Sequence, residues 1–233
     1  MNLKKLPELS VFFPFYNEED NIEAQTKDAL KTIPQLANKF EIILIDDGSV
    51  DKTGKIGQKL AKKYRSVKVI RHRVNKGYGG ALKTGFKNSR YKWIFFTDGD
   101  RQFRLADLSK LIRKTNGAGL VIGYRQKRAD PPIRLLNAKL FNFLIKILFG
   151  LRVRDVDCAF KLINKKVLGD IKLKSDGALL SSELLIKARK KGYKITEVPV
   201  GHYPRQVGSQ TGANFKVIFK AFYDIAALWK ELK

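Results

Sequence analysis

The chain has 233 residues, 44% of them apolar, and its 47 Lys and Arg against 22 Asp and Glu give a net charge of +25. The apolar share excludes a disordered chain, and the length suffices for one substantial core. No run approaches the roughly 18 uninterrupted apolar residues of a membrane span. Residues 1–7 are too short and polar for a signal peptide. The lone cysteine, Cys158, excludes an internal disulfide and fits the cytosol.

Periodicity predicts strands at 9–15, 40–46, 67–72, 92–98 and 119–124, separated by helices at 18–38, 52–64, 78–89 and 104–115. That alternation is the pattern of a mostly parallel sheet with helices on both faces. Beyond Pro131-Pro132 the pattern changes. A long apolar helix at 133–150 is followed by a strand at 158–163, a helix at 181–191, a strand at 193–200, a polar loop at 201–212 and a last helix at 214–232. The expected fold class is α/β, with one domain over 1–212. Residues 213–233 form an amphipathic helix that packs on that domain or lies at a membrane surface.

Three strands run out into polar turns. Trp93-Ile94-Phe95-Phe96-Thr97 ends in Asp98-Gly99-Asp100, with an amide at Gln102. In an extended segment, alternate side chains point the same way, so 98, 100 and 102 can offer three oxygen donors to one point. Oxygen ligands suit Mg²⁺ or Mn²⁺, which one or two carboxylates hold together with substrate phosphates; an exposed acidic turn is the alternative. Ile42-Ile43-Leu44-Ile45 ends in Asp46-Asp47-Gly48-Ser49, with Asp51 a candidate cap for the next helix. Ser10-Val11-Phe12-Phe13-Pro14-Phe15 ends in Tyr16-Asn17-Glu18-Glu19. Ligands of open α/β sheets bind outside the carboxyl ends of strands, so the three turns are expected to share one crevice.

Phe13-Pro14-Phe15-Tyr16-Asn17-Glu18-Glu19, Asp46-Asp47-Gly48-Ser49-Val50-Asp51-Lys52-Thr53, Asn75-Lys76-Gly77-Tyr78-Gly79-Gly80-Ala81-Leu82 and Asp98-Gly99-Asp100-Arg101-Gln102 stand in one order along the chain. Together they resemble the family 2 glycosyltransferases with the GT-A fold, and within them the dolichyl-phosphate mannose synthase-like, polyprenyl-phosphate sugar transferases. The resemblance spans about residues 8–210. It implies inverting transfer of a sugar from a nucleotide-sugar donor to a polyprenyl-phosphate acceptor, with Mg²⁺ or Mn²⁺ on Asp98, Asp100 and Gln102. Pro14, Tyr16, Glu18, Asp46, Asp47, Lys76, Gly77 and Gly99 would line the donor site with the two carboxylates. The glycines of 77–80 lack the Walker spacing; they let backbone approach a nucleotide or the next helix, or make a tight structural turn.

In the resembled family, arginines at the positions of Arg125, Arg134 and Arg205 are implicated in phosphate handling, which suits a planar fork. Ala138 departs from a serine found in many relatives. Arg154-Asp155-Val156-Asp157-Cys158-Ala159-Phe160-Lys161 resembles the family's Asp-x-x-Ser-Gly-Phe-Arg segment, making Asp155 or Asp157 the functional carboxylate. Cys158 is expected to be a small buried residue rather than a nucleophile. His202 would either approach the metal or be structural.

A charge of +25 attracts polyanions: nucleic acid, anionic membrane or phosphorylated substrates. No zinc-finger, RNA-recognition or helix-turn-helix pattern supports nucleic acid. An anionic membrane surface uses the same charge, and the helices at 133–150 and 214–232 each carry an apolar face. The expectation is a peripheral enzyme at the cytoplasmic face of a membrane, with room for a membrane-protein partner. A polysaccharide or other non-lipid acceptor is the alternative, and a non-catalytic polyanion-binding protein the reading from another class.

Overall fold

The computed structural model describes residues 5–126, 132–177, 179–205 and 215–232, with backbone alone for 132–137 and 215–223. Seven strands form one sheet in the order β3-β2-β1-β4-β6-β5-β7. They are β1 (Leu6–Phe15), β2 (Ala37–Asp46), β3 (Val67–Arg71), β4 (Trp93–Phe96), β5 (Leu120–Arg125), β6 (Lys161–Asn164) and β7 (Ile195–Val200). All pairings are parallel except those of β6, which runs antiparallel to β4 and β5. The helices are α1 (Glu19–Leu36), α2 (Thr53–Lys63), α3 (Gly77–Asn88), α4 (Leu108–Ile112), α5 (Pro132–Phe149), α6 (Lys165–Asp170), α7 (Leu180–Lys190) and α8 (Phe215–Leu232).

The alternation of β1 sorts its side chains between two cores. Val11, Phe13 and Phe15 join Phe95, Phe160 and Leu162 on one face. Phe12 joins Ile94, Phe96 and Ile163 on the other, where Phe12 and Phe96 stack at 5.3 Å. Burying a large apolar side chain contributes about 1.5–3 kcal/mol, so the doubly covered sheet is the fold's main source of stability. Its register places Phe15, Asp46 and Arg71 side by side, so β1, β2 and β3 all stop at one level.

Several elements differ from expectation. The strand expected at 92–98 stops at Phe96, because residues 97–104 form a turn in which Arg101 takes a positive φ of 62°. The helix expected at 104–115 is a 3-10 turn over Leu105–Asp107 and the single-turn α4. The strand expected from 158 begins at Lys161, whose ammonium gathers the carbonyls of Val156 and Cys158 and curls the preceding residues into a turn. α6 was not expected; Asn164 caps it by accepting from the Lys166 N–H at 3.1 Å. Lys52, not Asp51, occupies the cap position of α2. Asp51 instead braces two helix starts, accepting from the N–H groups of Thr53 and Glu19.

Candidate active site

The polar turns after β1, β2 and β4 gather at the carboxyl end of the sheet. Asn17 accepts from the Val50 N–H, and Ser49 accepts from the Asn17 N–H at 2.9 Å, tying the first turn to the second. Asp46 is fully buried; it accepts from the Ser49 N–H and lies 3.0 Å from Arg71 Nε. Asp47 meets His72 Nδ1 at 2.6 Å and the Lys76 N–H at 2.9 Å. These two carboxylates therefore hold the turn and the start of the glycine segment. Pro14 and Glu18 are half-buried, while Tyr16 and Lys76 are exposed beside them.

In the glycine segment, Gly77 has a φ of +76° and its N–H bonds to Asn75 Oδ1. The Gly79 N–H donates to the Asp176 carbonyl at 3.1 Å, and a Cβ there would strike Asp176 backbone. Gly79 thus permits close packing of the segment before α7. Tyr78, next to it, bonds through its hydroxyl to Asp98.

Asp98 and Asp100 project from the turn after β4. Gly99 between them packs so tightly on the Phe15 ring that any Cβ would overlap it. The three donors are aimed by this turn, not by an extended strand. Its Asp100 Oδ1 accepts from the Gln102 N–H at 3.1 Å. Gln102 is clamped by Tyr203, whose N–H donates to the Gln102 carbonyl and whose carbonyl accepts from Gln102 Nε2. That clamp lays the loop after β7 over the turn.

Burial, and then Asp100, push the Asp98 carboxyl up to about 7; Tyr78, Arg125 and Lys161 pull against them. Burial also raises Asp100, against the Gln102 N–H and Arg205. Asp98 Oδ1 is shut from solvent and has no hydrogen-bond partner. Two carboxylates that repel, one with an orphaned oxygen, beside an amide, are donors that fit a hard divalent cation. Among the described residues no group of three or more Asp, Glu, His or Cys is placed to hold a metal ion, so such an ion would complete its shell with water and phosphate oxygens.

Arg205 hydrogen-bonds to Glu18 Oε1, and its other terminal nitrogen lies 3.9 Å from Asp100 Oδ2. Arg125, the last residue of β5, grips Asp155 with two bonds of 2.7 and 2.8 Å. Burial opposes the Arg125 charge, but Asp155 outweighs it and holds the guanidinium firmly protonated. Asp157 is exposed, and Asp155 is the carboxylate built into the interior. The Arg134 side chain and residues 206–212 lie outside the described residues. Cys158 is fully buried, and burial pushes its thiol up to about 12. His202 packs edge-on to Phe103 at 5.3 Å.

Sequence reasoning missed Arg71 and His72, although β3 also ends in polar groups at the crevice level. It gave no role to Lys161, which it named only at the end of the resembled Asp-x-x-Ser-Gly-Phe-Arg segment and which is fully buried and bonded to the Val156 and Cys158 carbonyls and to Ser181 Oγ at 2.7 Å. The apolar strand pattern alone does not mark such a lysine; the signal was its place at the basic end of that segment. A groove of about 910 Å³ elsewhere on the surface is lined by Lys83, Phe86 and Lys165 and by none of the crevice residues.

A mostly parallel sheet with acidic turns at its carboxyl end defines the class, and solved structures agree. The chain superposes on glucosyl-3-phosphoglycerate synthase from Mycobacterium tuberculosis with a TM-score of 0.76, covering 96% of this chain and 78% of that one at 19% identity. Mannosyl-3-phosphoglycerate synthase from Rubrobacter xylanophilus gives 0.73 over 96% and 73%, at 16% identity. The fold is GT-A. Residues 10–172 match Glycosyl transferase family 2, and the chain belongs to that family. It is 30% identical to a dolichyl-phosphate beta-glucosyltransferase of Saccharomyces cerevisiae, over 82% of this chain and 66% of that protein, so it spans about two thirds of that relative. An uncharacterised protein of Methanocaldococcus jannaschii is 32% identical over 91% of this chain and 90% of its own. An undecaprenyl-phosphate 4-deoxy-4-formamido-L-arabinose transferase of Edwardsiella ictaluri is 27% identical over 96% of this chain and 68% of its own. Among the described residues, no helix is long and apolar enough to cross a membrane.

Proposed function

We propose that this glycosyltransferase moves a sugar from a nucleoside-diphosphate sugar to a polyprenyl phosphate, with inversion, at an anionic membrane surface. The observation that carries the reading is the convergence of Asp98 and Asp100 with Arg205 at the carboxyl end of the sheet. The names of the yeast and Edwardsiella relatives support a polyprenyl-phosphate acceptor.

Asp98, Asp100 and Gln102 would hold Mg²⁺ or Mn²⁺, which when bound offsets negative charge on the leaving diphosphate. Structural neighbours crystallised with Mn²⁺ or Mg²⁺ and uridine diphosphate support that assignment. Glu18, with Pro14 and Tyr16, borders the nucleoside pocket, and Asp46 and Asp47 shape it through the turn that they brace. Lys76, Gly77 and Gly99 complete the donor side. A phosphate monoester has its second pKa near ~6, so the acceptor is already mostly dianionic at neutral pH and needs little help from a base. What the site must overcome is repulsion between two anions. Arg205, Arg125 and Arg134 serve that need, and Asp155 orients Arg125 rather than taking a proton.

A soluble phosphorylated acceptor is the second reading, favoured by neighbours solved with phosphoglyceric acid. The deciding experiment supplies radiolabelled UDP- and GDP-sugars with Mn²⁺ and offers either a polyprenyl phosphate or 3-phosphoglycerate. Label in the organic phase supports the lipid acceptor. Label only in the aqueous product rejects it.

A further inference from the structure

We propose that the groove remote from the crevice is the docking site for an acidic amphipathic helix of a partner protein. The groove encloses about 910 Å³. Lys87 comes from the last turn of α3, Lys92 precedes β4, Asn164 ends β6, and Lys165 and Lys166 open α6. Trp93 pairs with Asn164 where β4 begins and the antiparallel β6 ends, so these residues gather at the end of the sheet opposite the acidic turns.

The lining divides into an apolar floor and a basic rim. Phe86, Leu168, Ile171 and Leu173 belong to the core on this face of the sheet or pack against it. Lys83, Lys87, Lys92, Lys165 and Lys166 supply five ammonium groups, and among the described residues no carboxylate lines the groove. Three carboxylates border it. Asp176 pairs with Lys83 at 2.7 Å, Asp170 bonds to the Tyr193 hydroxyl, and Glu8 accepts from the Lys92 N–H at 3.0 Å. Set against all three, the five lysines keep an excess of two positive charges. Lys87, Lys92, Lys165 and Lys166 are exposed, and among the described residues none has a carboxylate within salt-bridge distance.

An apolar strip flanked by carboxylates is the complement of this lining, and an amphipathic helix laid in a groove presents both. A bilayer suits it less. A planar surface cannot fill a concave floor, and the crevice that would take a membrane-borne acceptor lies at the other end of the sheet. Nucleic acid suits it less as well. Phe86 is the single aromatic side chain of the lining and is 7% exposed, so no ring face is offered to a base.

The test is fluorescence anisotropy with labelled synthetic helices of three kinds. The first has leucine at alternating third and fourth positions and glutamate elsewhere. The second keeps the leucines and replaces glutamate by lysine, and the third keeps the glutamates and replaces leucine by serine. The proteins are wild type, Lys87→Glu with Lys166→Glu in the groove, and Lys59→Glu with Lys62→Glu on the exposed face of α2, which changes overall charge equally. Wild type should bind the first peptide and neither of the others, more weakly as salt rises. The groove variant should lose about tenfold or more in affinity, because like charges then face one another, while the α2 variant keeps most of it. Circular dichroism and transfer rate should match wild type in both variants. Wild-type affinity in the groove variant, or equal losses in the two variants, overturns the docking site. So does a serine peptide that binds as tightly as the leucine one, since the floor would then play no part. Anionic liposomes or single-stranded RNA whose binding falls in the groove variant while the peptide's does not would assign the groove to that partner and reject the helix.

Discussion

Arg205 reaches Glu18 across 187 positions of sequence, joining the loop after β7 to the turn after β1. Both side chains are largely buried, and Asp100 lies 3.9 Å from the same guanidinium. One arginine thus bonds to Glu18 and lies near Asp100 at once.

Arg205→Ala should therefore lose most transfer activity. A lost charge-assisted bond costs on the order of 1.5–3 kcal/mol, hence roughly tenfold or more in rate. Initial rates with a polyprenyl phosphate measure it. Wild-type rates would make the residue a fastener between loops and nothing more.

The paired carboxylates give a metal prediction with a definite pH sign. Asp98 titrates near 7 in the folded chain against 3.8 when unperturbed. The folded state thus binds the extra proton, so this group's contribution to stability falls as pH rises from about 4 to 7. Metal-free protein should melt lower at pH 8 than at pH 6, and Mn²⁺ should raise the melting temperature more at pH 8. Asp98→Asn should stabilise the metal-free protein at pH 8 and abolish the Mn²⁺ shift. Asp100→Asn should abolish metal-dependent binding of nucleoside diphosphate in calorimetry while the fold survives. Unchanged metal-dependent affinity in Asp100→Asn would remove Asp100 from the metal site.

Much of this was legible in the sequence, for identifiable reasons. Apolar runs ending in Asp46-Asp47 and Asp98-Gly99-Asp100 break the strand pattern only where a crevice needs charge, and β2 does end at Asp46 and β4 just short of Asp98. The long-range closures were not legible. That Gln102 would clamp Tyr203, or that Arg125 would grip Asp155, depends on β6 turning back between β4 and β5. The strand itself was expected, at 158–163, but nothing in its pattern says that it starts at a buried lysine or pairs antiparallel with both neighbours.

A buried network joins α7 to α8. Glu183 is fully buried, bonded to Lys187 Nζ at 2.6 Å and to the N–H groups of Lys174 and Ser175 at 2.8 Å. Lys187 also reaches Glu231 of α8 at 2.9 Å. Burial disfavours the Glu183 charge, but these donors outweigh it and keep the carboxyl below its ordinary range. Glu183→Ala leaves a buried ammonium short of a partner and should cost about 3–5 kcal/mol, read from the urea midpoint at pH 7. Because the folded value is depressed, the stabilisation is present in full above about 4.5 and is lost as pH falls from there through the lower folded value. The gap between variant and wild type should narrow in acid. A gap independent of pH would mean that packing, not charge, sets the loss.

The membrane expectation rests on one face of α5. Leu140, Phe143 and Ile147 are 57, 59 and 62% exposed, while Ile145 on the opposite side is fully buried. Lys139 and Lys146 flank the exposed residues. Each large apolar side chain moved out of water contributes about 1.5–3 kcal/mol, and each nearby lysine about 1 kcal/mol at an anionic surface. Three such side chains and a few lysines suffice for reversible binding. High salt should weaken sedimentation with anionic liposomes without abolishing it, since salt screens charge but not apolar contact. Leu140→Glu with Phe143→Glu should release the protein at any salt concentration, and its circular dichroism should match wild type because both side chains already face solvent. A folded double variant that still sediments as wild type does would take the membrane role away from α5. It would then fall to α8, whose Ile225 and Leu228 are buried in the core, or to a membrane-protein partner.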